Sequence, residues 1–411
     1  EGGLSAVTSR AVRGVAIFAA AGWFAVAGVT ATAAFGAVAS EQPHGVAPEE
    51  LADRQWSRLD TGELDRQWSA LVRQYDAYLP RDRPAFAPST EIVRDKERPS
   101  AVAYLTGLAR FLFDELEKQG RLLAVLVLIA ILGVMLGHLQ SSFEKSNVGK
   151  IASVVVFLML TGIAAESFRV AIGYAKEAVS GMVHVMIALI PLLLTLLVST
   201  GNAASAAVLH PLVVFMVHAT GSLINAVVFP LFFFSAVLHI VSAMSERYKV
   251  SHLADLLRNA GAVLLGGFVT VFLGVMTARG AVAAVADGVA VRTAKFVASN
   301  FVPVVGRLFA DATDTVVAAS LLVKSAIGMF GVIALLLICA FPAVKVLAMS
   351  LVYYAAAAVL QPLGETPLVG CLRTIGKSMM YVFAALAAVG LMFFLALTMM
   401  IAAGTVTAML R

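Results

Sequence analysis

Along the chain, long apolar runs alternate with short polar breaks. From Arg121 onward the runs fall at about 121–139, 151–168, 182–200, 206–227, 229–244, 260–278, 318–341, 343–361 and 379–403. About 20 apolar residues suffice for one helix to cross a bilayer. The pattern therefore predicts eight or nine crossings over 120–411, several of them short or interrupted by Pro191, Pro211 and Pro230. The predicted fold class is all-α, a polytopic transmembrane helical bundle. Ahead of it, 40–119 is the one long hydrophilic stretch. There Leu64, Trp68, Leu71, Val72, Tyr75 and Leu79 recur at helical spacing along one face. Asp60 with Glu63 resembles a capping box at the start of that helix, and Pro80 ends it. A linker, Arg81–Pro99, leads to a second amphipathic helix from about Ser100 to Lys118. This predicts a small extracytoplasmic helical region. The pentapeptide D-R-Q-W-S occurs twice in it, at 53–57 and 65–69, too few copies for a repeat array.

Residues 1–39 carry Arg10 and Arg13, an apolar run from Val15 and the small-residue ending Ala37-Val38-Ala39. That order predicts a signal peptide, with an uncleaved first helix as the alternative. In both cases 40–119 follows on the far side of the membrane.

Composition sharpens the class. The 411 residues are 60% hydrophobic and 13% charged, with a mean hydropathy of +0.90. Soluble domains run about 45–50% apolar and about 25% charged, so an ordinary soluble enzyme is excluded. The net charge of +5 divides into +1 over 1–40, −4 over 41–120 and +8 over 121–411. The basic residues are scattered between apolar runs and form no aromatic-lined stripe, which argues against nucleic acid. They read instead as loop charges that orient helices. Counting from an outer 40–119 region puts Lys145, Lys150, Arg247, Lys249 and Arg258 inside, as the positive-inside rule favours. The same count leaves Arg279, Arg292, Lys295, Arg307, Arg373 and Lys377 outside, against the rule.

The segment 281–316 is apolar enough to enter a bilayer, yet it holds Asp287, Arg292, Lys295, Arg307, Asp311 and Asp314. Charges at the centre of a membrane helix cost about 2.5–3.5 kcal/mol each on insertion scales, so these must pair, lie at the interface or face water. One reading is a pore or gate, with Asn300, Pro303 and Gly306 breaking the helix. The other is an amphipathic hairpin lying in the outer interface. The basic loop Ser245–Arg258, with Arg247, Lys249 and Arg258, is a candidate cytoplasmic docking surface.

Other chemistry finds no support. Cys339 and Cys371 form no metal or disulfide pattern. The histidines belong to no H-E-x-x-H, and His210 and His218, eight apart, have no carboxylate in their helix. Gly201-Asn202-Ala203-Ala204-Ser205 lacks the G-K-[ST] of a phosphate loop, and G-x-S-x-G is absent. No enzymatic role and no cofactor are expected. A faint echo, Leu257-Arg258-x-x-Gly261 and Leu372-Arg373-x-x-Gly376, leaves a transporter-like internal repeat open.

Longer stretches are more specific. A-A-V-L-H-P-L-V-V-F-M-V (206–217), S-E-R-Y-K-V-S-H-L-A-D-L-L-R-N (245–259), the run from Asp287 to Val316, L-Q-P-L-G (360–364) and Y-V-F-A-A-L-A-A-V-G-L-M-F-F-L (381–395) closely resemble the stage III sporulation protein AE family of endospore-forming bacteria. The resemblance runs from about residue 60 to 411. It implies a polytopic component of the complex joining mother cell to forespore, in the mother-cell membrane that surrounds the forespore. The implied partners are other stage III membrane and ring-forming proteins, a cytoplasmic ATPase, membrane lipid and further copies of the chain. The family brings no catalytic residues. A channel component, a non-conducting scaffold and a stand-alone secondary transporter are the three readings.

Overall fold

The computed structural model describes residues 48–80, 101–142, 147–244, 250–301, 305–364 and 366–402. The expected signal segment and the 81–99 linker lie outside the described residues. Every described element is helical: α1 (Pro48–Trp56), α2 (Gly62–Tyr75) with a 3-10 turn Asp76–Tyr78, α3 (Ala101–Lys118), α4 (Gly120–Ser142), α5 (Asn147–Ser199) and α6 (Ala203–Leu223). A π-helical turn Ile224–Val228 leads into α7 (Phe229–Met244), followed by α8 (Ser251–Phe301), α9 (Val305–Leu360) with a 3-10 turn Gln361–Leu363, and α10 (Pro367–Ala402).

The apolar segments are fewer and longer than their pattern predicts. Helix α5 joins the runs at 151–168 and 182–200, and α9 joins those at 318–341 and 343–361. Helix α6, the π turn and α7 join two more. Five described helices are long and apolar enough to cross a membrane, and a sixth arises if α3 and α4, bent by 41°, count as one span. The expected eight or nine crossings are not confirmed. The reason is local. The polar break in α5, around Glu166 to Glu177, contains no turn residues beyond Gly173, and its Glu166–Arg169 ion pair (2.6 Å) is spaced to support a helix.

Prolines do not end these helices either. Pro191, Pro211 and Pro342 sit inside them, and Thr195 Oγ1 donates to the Pro191 carbonyl at 2.8 Å. Ahead of Pro230, which has no N–H to give, the backbone widens so that the Phe229 N–H reaches back to the Ile224 carbonyl.

The long helices run up and down. Gly181 of α5 faces Ile338 of α9, and Gly331 of α9 faces Leu189, where an added Cβ would come within 2.6 Å. Helix α10 returns along α9: Gly328 meets Ile401, Cys339 meets the Leu386 carbonyl, and Ser350 Oγ donates to the Gly376 carbonyl at 2.9 Å. Likewise α6–α7 runs back along α5, through Gly221 against Val183 and Phe168 against Phe233, and α8 runs back along α7, through Gly261 against Phe232. The last turns of α4, α7 and α9 and the first turns of α5, α8 and α10 therefore lie at one end of the bundle. The sequence count had set 361–377 opposite 143–146 and 245–250, because it turned the chain within helices that are continuous.

The region 40–119 has no core of its own among the described residues. Helices α1 and α2 lie along α9: Ser320 Oγ donates to Gln55 Oε1 at 3.1 Å, Trp68 sets its edge 4.7 Å from Phe330, and Tyr75 stacks on Phe341 at 3.9 Å. Phe111 of α3 completes the cluster, 5.1 Å from Phe341. Burial, then the negative charges of Glu177 and Glu115, push the Tyr75 hydroxyl up to about 12. At the end of α2, Tyr78 donates to Asp114 Oδ2 at 2.8 Å, and this bond raises the Tyr78 pKa.

Gly107 of α3 lies against the Tyr78 carbonyl with no room for a Cβ. Gly107→Ala is expected to push α3 away from the 3-10 turn and break the Tyr78–Asp114 bond. Spectroscopic titration of tyrosinate should then show one tyrosine ionising at lower pH than in the unaltered protein, with α4–α10 unchanged in helicity.

Candidate functional site

A helix rises about 1.5 Å per residue, so α5 is about 80 Å long. A bilayer's hydrocarbon core is about 30 Å thick. Apolar sequence fills both halves of α5, but its middle carries Glu166 and Arg169, with side chains 58% and 70% exposed, and the exposed Lys176 and Glu177. Each would cost about 2.5–3.5 kcal/mol at the centre of a bilayer.

Neighbouring helices place polar groups at the same height and lower. Lys345 of α9 lies 4.8 Å from the Tyr174 ring and 5.8 Å from that of Tyr75, and both contacts are cation–π. Phe168 meets Phe233 of α7, Phe232 meets Tyr381 of α10, and Arg258 of α8 lies 5.4 Å from the Tyr381 ring. Arg258 pairs with Asp255, and His239 of α7 lies 3.3 Å from Arg258 Nη1 and 3.4 Å from Asp255 Oδ1. The result is a polar girdle in two tiers: Lys345 level with the charged middle of α5, and Asp255, Arg258 and His239 lower, within about two turns of the 245–250 connection.

Above the girdle, toward the α5–α6 turn, the bundle has two unlike flanks. Helices α1 and α2 cover α9 from Ser320 to Phe341, with Arg54, Arg58, Asp65, Arg66 and Arg73 exposed. Elsewhere at this height, α6 and α8 expose Val208, Phe215 and Val271. Beside the π turn, a cleft of about 440 Å³ between α5 and α6 is lined in part by His184, His218, Ser222 and Asn225. The Asn225 Oδ1 atom is buried there without a hydrogen-bond partner.

The predicted site residues fare differently. Asp287, Arg292, Lys295 and Asn300 lie on the last turns of α8, while Arg307, Asp311 and Asp314 lie on the first turns of α9. The two helices end and restart around 302–304, so the backbone brings these residues to one end of the bundle, opposite the 245–250 connection. The side chains of 279–314 lie outside the described residues, as do Arg247 and Lys249. Arg258, expected in a docking loop, turns inward: its side chain is 10% exposed and engaged with Asp255, His239 and Tyr381. The pattern of the sequence placed it in a polar break, whereas α8 begins at Ser251 and buries that face against α7.

Sequence reasoning missed Lys324 and Lys345 of α9, the first buried to 1% exposure. A usable signal was present. An ionisable residue within an apolar run is costly enough to mark a site by default.

Comparison with known proteins follows the same outline. The family model described as "Stage III sporulation protein AE (spore_III_AE)" matches residues 89–404. The chain is 46% identical over 370 residues to the stage III sporulation protein AE of Bacillus subtilis (strain 168), covering 90% of this chain and 92% of that protein. No solved structure matches it. A match of this length, across every long helix of the bundle, establishes that the chain belongs to the stage III sporulation protein AE family.

Proposed function

We propose that this chain is a non-enzymatic membrane component of a channel complex joining mother cell and forespore, in the mother-cell membrane that surrounds the forespore. Its partners would be other stage III membrane and ring proteins and their cytoplasmic ATPase. The observation that carries the reading is the polar girdle and polar α1–α2 flank within a bundle of apolar helices. A protein that only filled lipid would have no use for either. Under this reading the end bearing 143–146, 245–250 and 361–366 is cytoplasmic, since Lys145, Lys150, Arg247, Lys249, Arg373 and Lys377 lie in or near it. The ends of α8 and α9, with Asp287, Arg292, Lys295, Asn300, Arg307, Asp311 and Asp314, then form an outer mouth or gate.

Two measurements test this. Expressed in Bacillus subtilis lacking its own AE protein, the chain should restore spore formation and co-purify with other stage III proteins. With Cys339 and Cys371 replaced, single cysteines along 280–316 should react with small membrane-impermeant reagents and resist larger ones. Labelling of one surface face only would favour a scaffold. Solute flux by the purified chain alone in liposomes would instead make it a stand-alone transporter.

A further inference from the structure

Half the bundle has the dimensions of a membrane slab. Between the girdle and the Thr200–Asn202 turn, α5 offers residues 178–199, and α9 runs antiparallel beside it over 320–341. Each stretch is about 33 Å of helix. That matches the roughly 30 Å thickness of a hydrocarbon core. Below the girdle, α9 from Lys345 to Leu360 and α10 from Pro367 to Tyr381 give about 22–24 Å, while α5 from 147 to 165 gives about 28 Å and exposes Ile151, Leu158 and Met159.

Around the thicker slab the surface is sided. On α6 and α8 it is apolar, with Phe215 64% and Val271 57% exposed. On α1 and α2 it is charged from top to bottom of the same slab. Gln55 meets Ser320 near the upper edge, Trp68 meets Phe330 at mid-depth, and Tyr75 meets Phe341 at the girdle. Gly331, next to Phe330, packs on Leu189 of α5, which fixes Trp68 at the middle of the slab. The outward residues include Arg54 paired with Glu50 and Arg66 paired with Glu63, and the Arg66 and Glu63 side chains are 76% and 46% exposed. Such a face needs water.

We infer that the α1–α2 face is the wall of a water-filled path at membrane depth, while α6 and α8 at the same height meet lipid. The inference rests on the channel reading and adds to it a lining. Acidic and basic side chains interleave along this wall, so it favours neither sign of charge strongly and suits small polar solutes of both. The Trp68, Tyr75 and Phe341 cluster holds the wall to α9, and Lys345 ties its lower end to Tyr174 of α5.

The test uses the full chain in vesicles that contain brominated acyl chains, with Cys339 and Cys371 replaced by serine. Single cysteines are placed by Arg66→Cys, Phe215→Cys and, below the girdle, Leu158→Cys. A fluorophore on Phe215→Cys should lose its emission to the brominated chains, whereas one on Arg66→Cys should keep it. Cationic and anionic methanethiosulfonates should modify Arg66→Cys at comparable rates. Quenching at Leu158→Cys but not at Phe215→Cys would put the other half of the bundle in the bilayer and overturn the inference. So would quenching at Arg66→Cys, or its failure to react. Spore formation and co-purification test the channel reading separately, so failure of the lining and failure of that reading are distinguishable.

Discussion

Asp255→Ala is expected to destabilise the bundle by about 2–3 kcal/mol, because it leaves the guanidinium of Arg258 buried against His239 and Tyr381 without its carboxylate. Breaking a fully buried pair costs about 3–5 kcal/mol, and the expected value is lower because the Asp255 side chain is 42% exposed. The reciprocal change is expected to be milder. Arg258→Met keeps much of the stem's packing and leaves a carboxylate that water can reach. The double variant should recover most of the loss of Asp255→Ala, since it removes the stranded charge. Thermal unfolding in detergent of the three variants checks the order. Equal loss for Asp255→Ala and Arg258→Met would show that the pair, and not the burial of the cation, sets the energetics. The Arg258 Nε atom has no partner even in the intact pair, which leaves the cation all the more dependent on Asp255.

The second large effect is expected at Trp68. Its ring is 6% exposed and meets Phe330 edge-on, at the centre of the cluster that holds α2 to α9. Trp68→Ala removes a large buried ring from the α2–α9 contact and is expected to weaken docking by about 3–5 kcal/mol. The segment is held also by Ala52, Trp56 and Leu64, which are buried in the main core, so the loss is expected to loosen α2 first. Limited proteolysis should then cut between α1 and α3 at protease concentrations that leave the unaltered chain intact, while α5–α10 stay protected. Trp68→Phe keeps an edge for Phe330 and should recover much of the protection. If Trp68→Ala left proteolysis unchanged, the aromatic cluster would not be what holds α2.

Much of this was legible in the residues. The amphipathic face of α2 was read from spacing alone, and Leu64, Trp68, Leu71 and Tyr75 are buried in the structure. Helix α2 ends at Tyr75, with a 3-10 turn to Tyr78, a little before the expected stop at Pro80, and α3 ends at Lys118 as expected. The helical class and the family followed from apolar runs and from long matching stretches. What those faces pack against was not legible. A period of 3.6 residues says that a helix has a buried side but not which partner buries it, and α2 found α9 instead of α3 alone.

The crossing count went unconfirmed for a related reason. Hydropathy registers a polar break and cannot tell a turn from a helix that continues through it with its charges in water. Around Glu166 and Arg169 and at Lys345, the backbone stays helical because each residue's hydrogen bonds are local and the charges find water, each other or aromatic rings. By itself, then, the sequence determined what short-range physics controls: helix, apolarity, the faces of the amphipathic segments and the family pattern. Only the tertiary structure decided which breaks are turns, that three connections share one end, that Arg258 is buried, and that Lys345 of α9 falls level with the charged middle of α5. Those outcomes depend on contacts between residues such as Tyr75 and Lys345, or Arg258 and Tyr381, far apart in the chain and brought together only when the long helices pack.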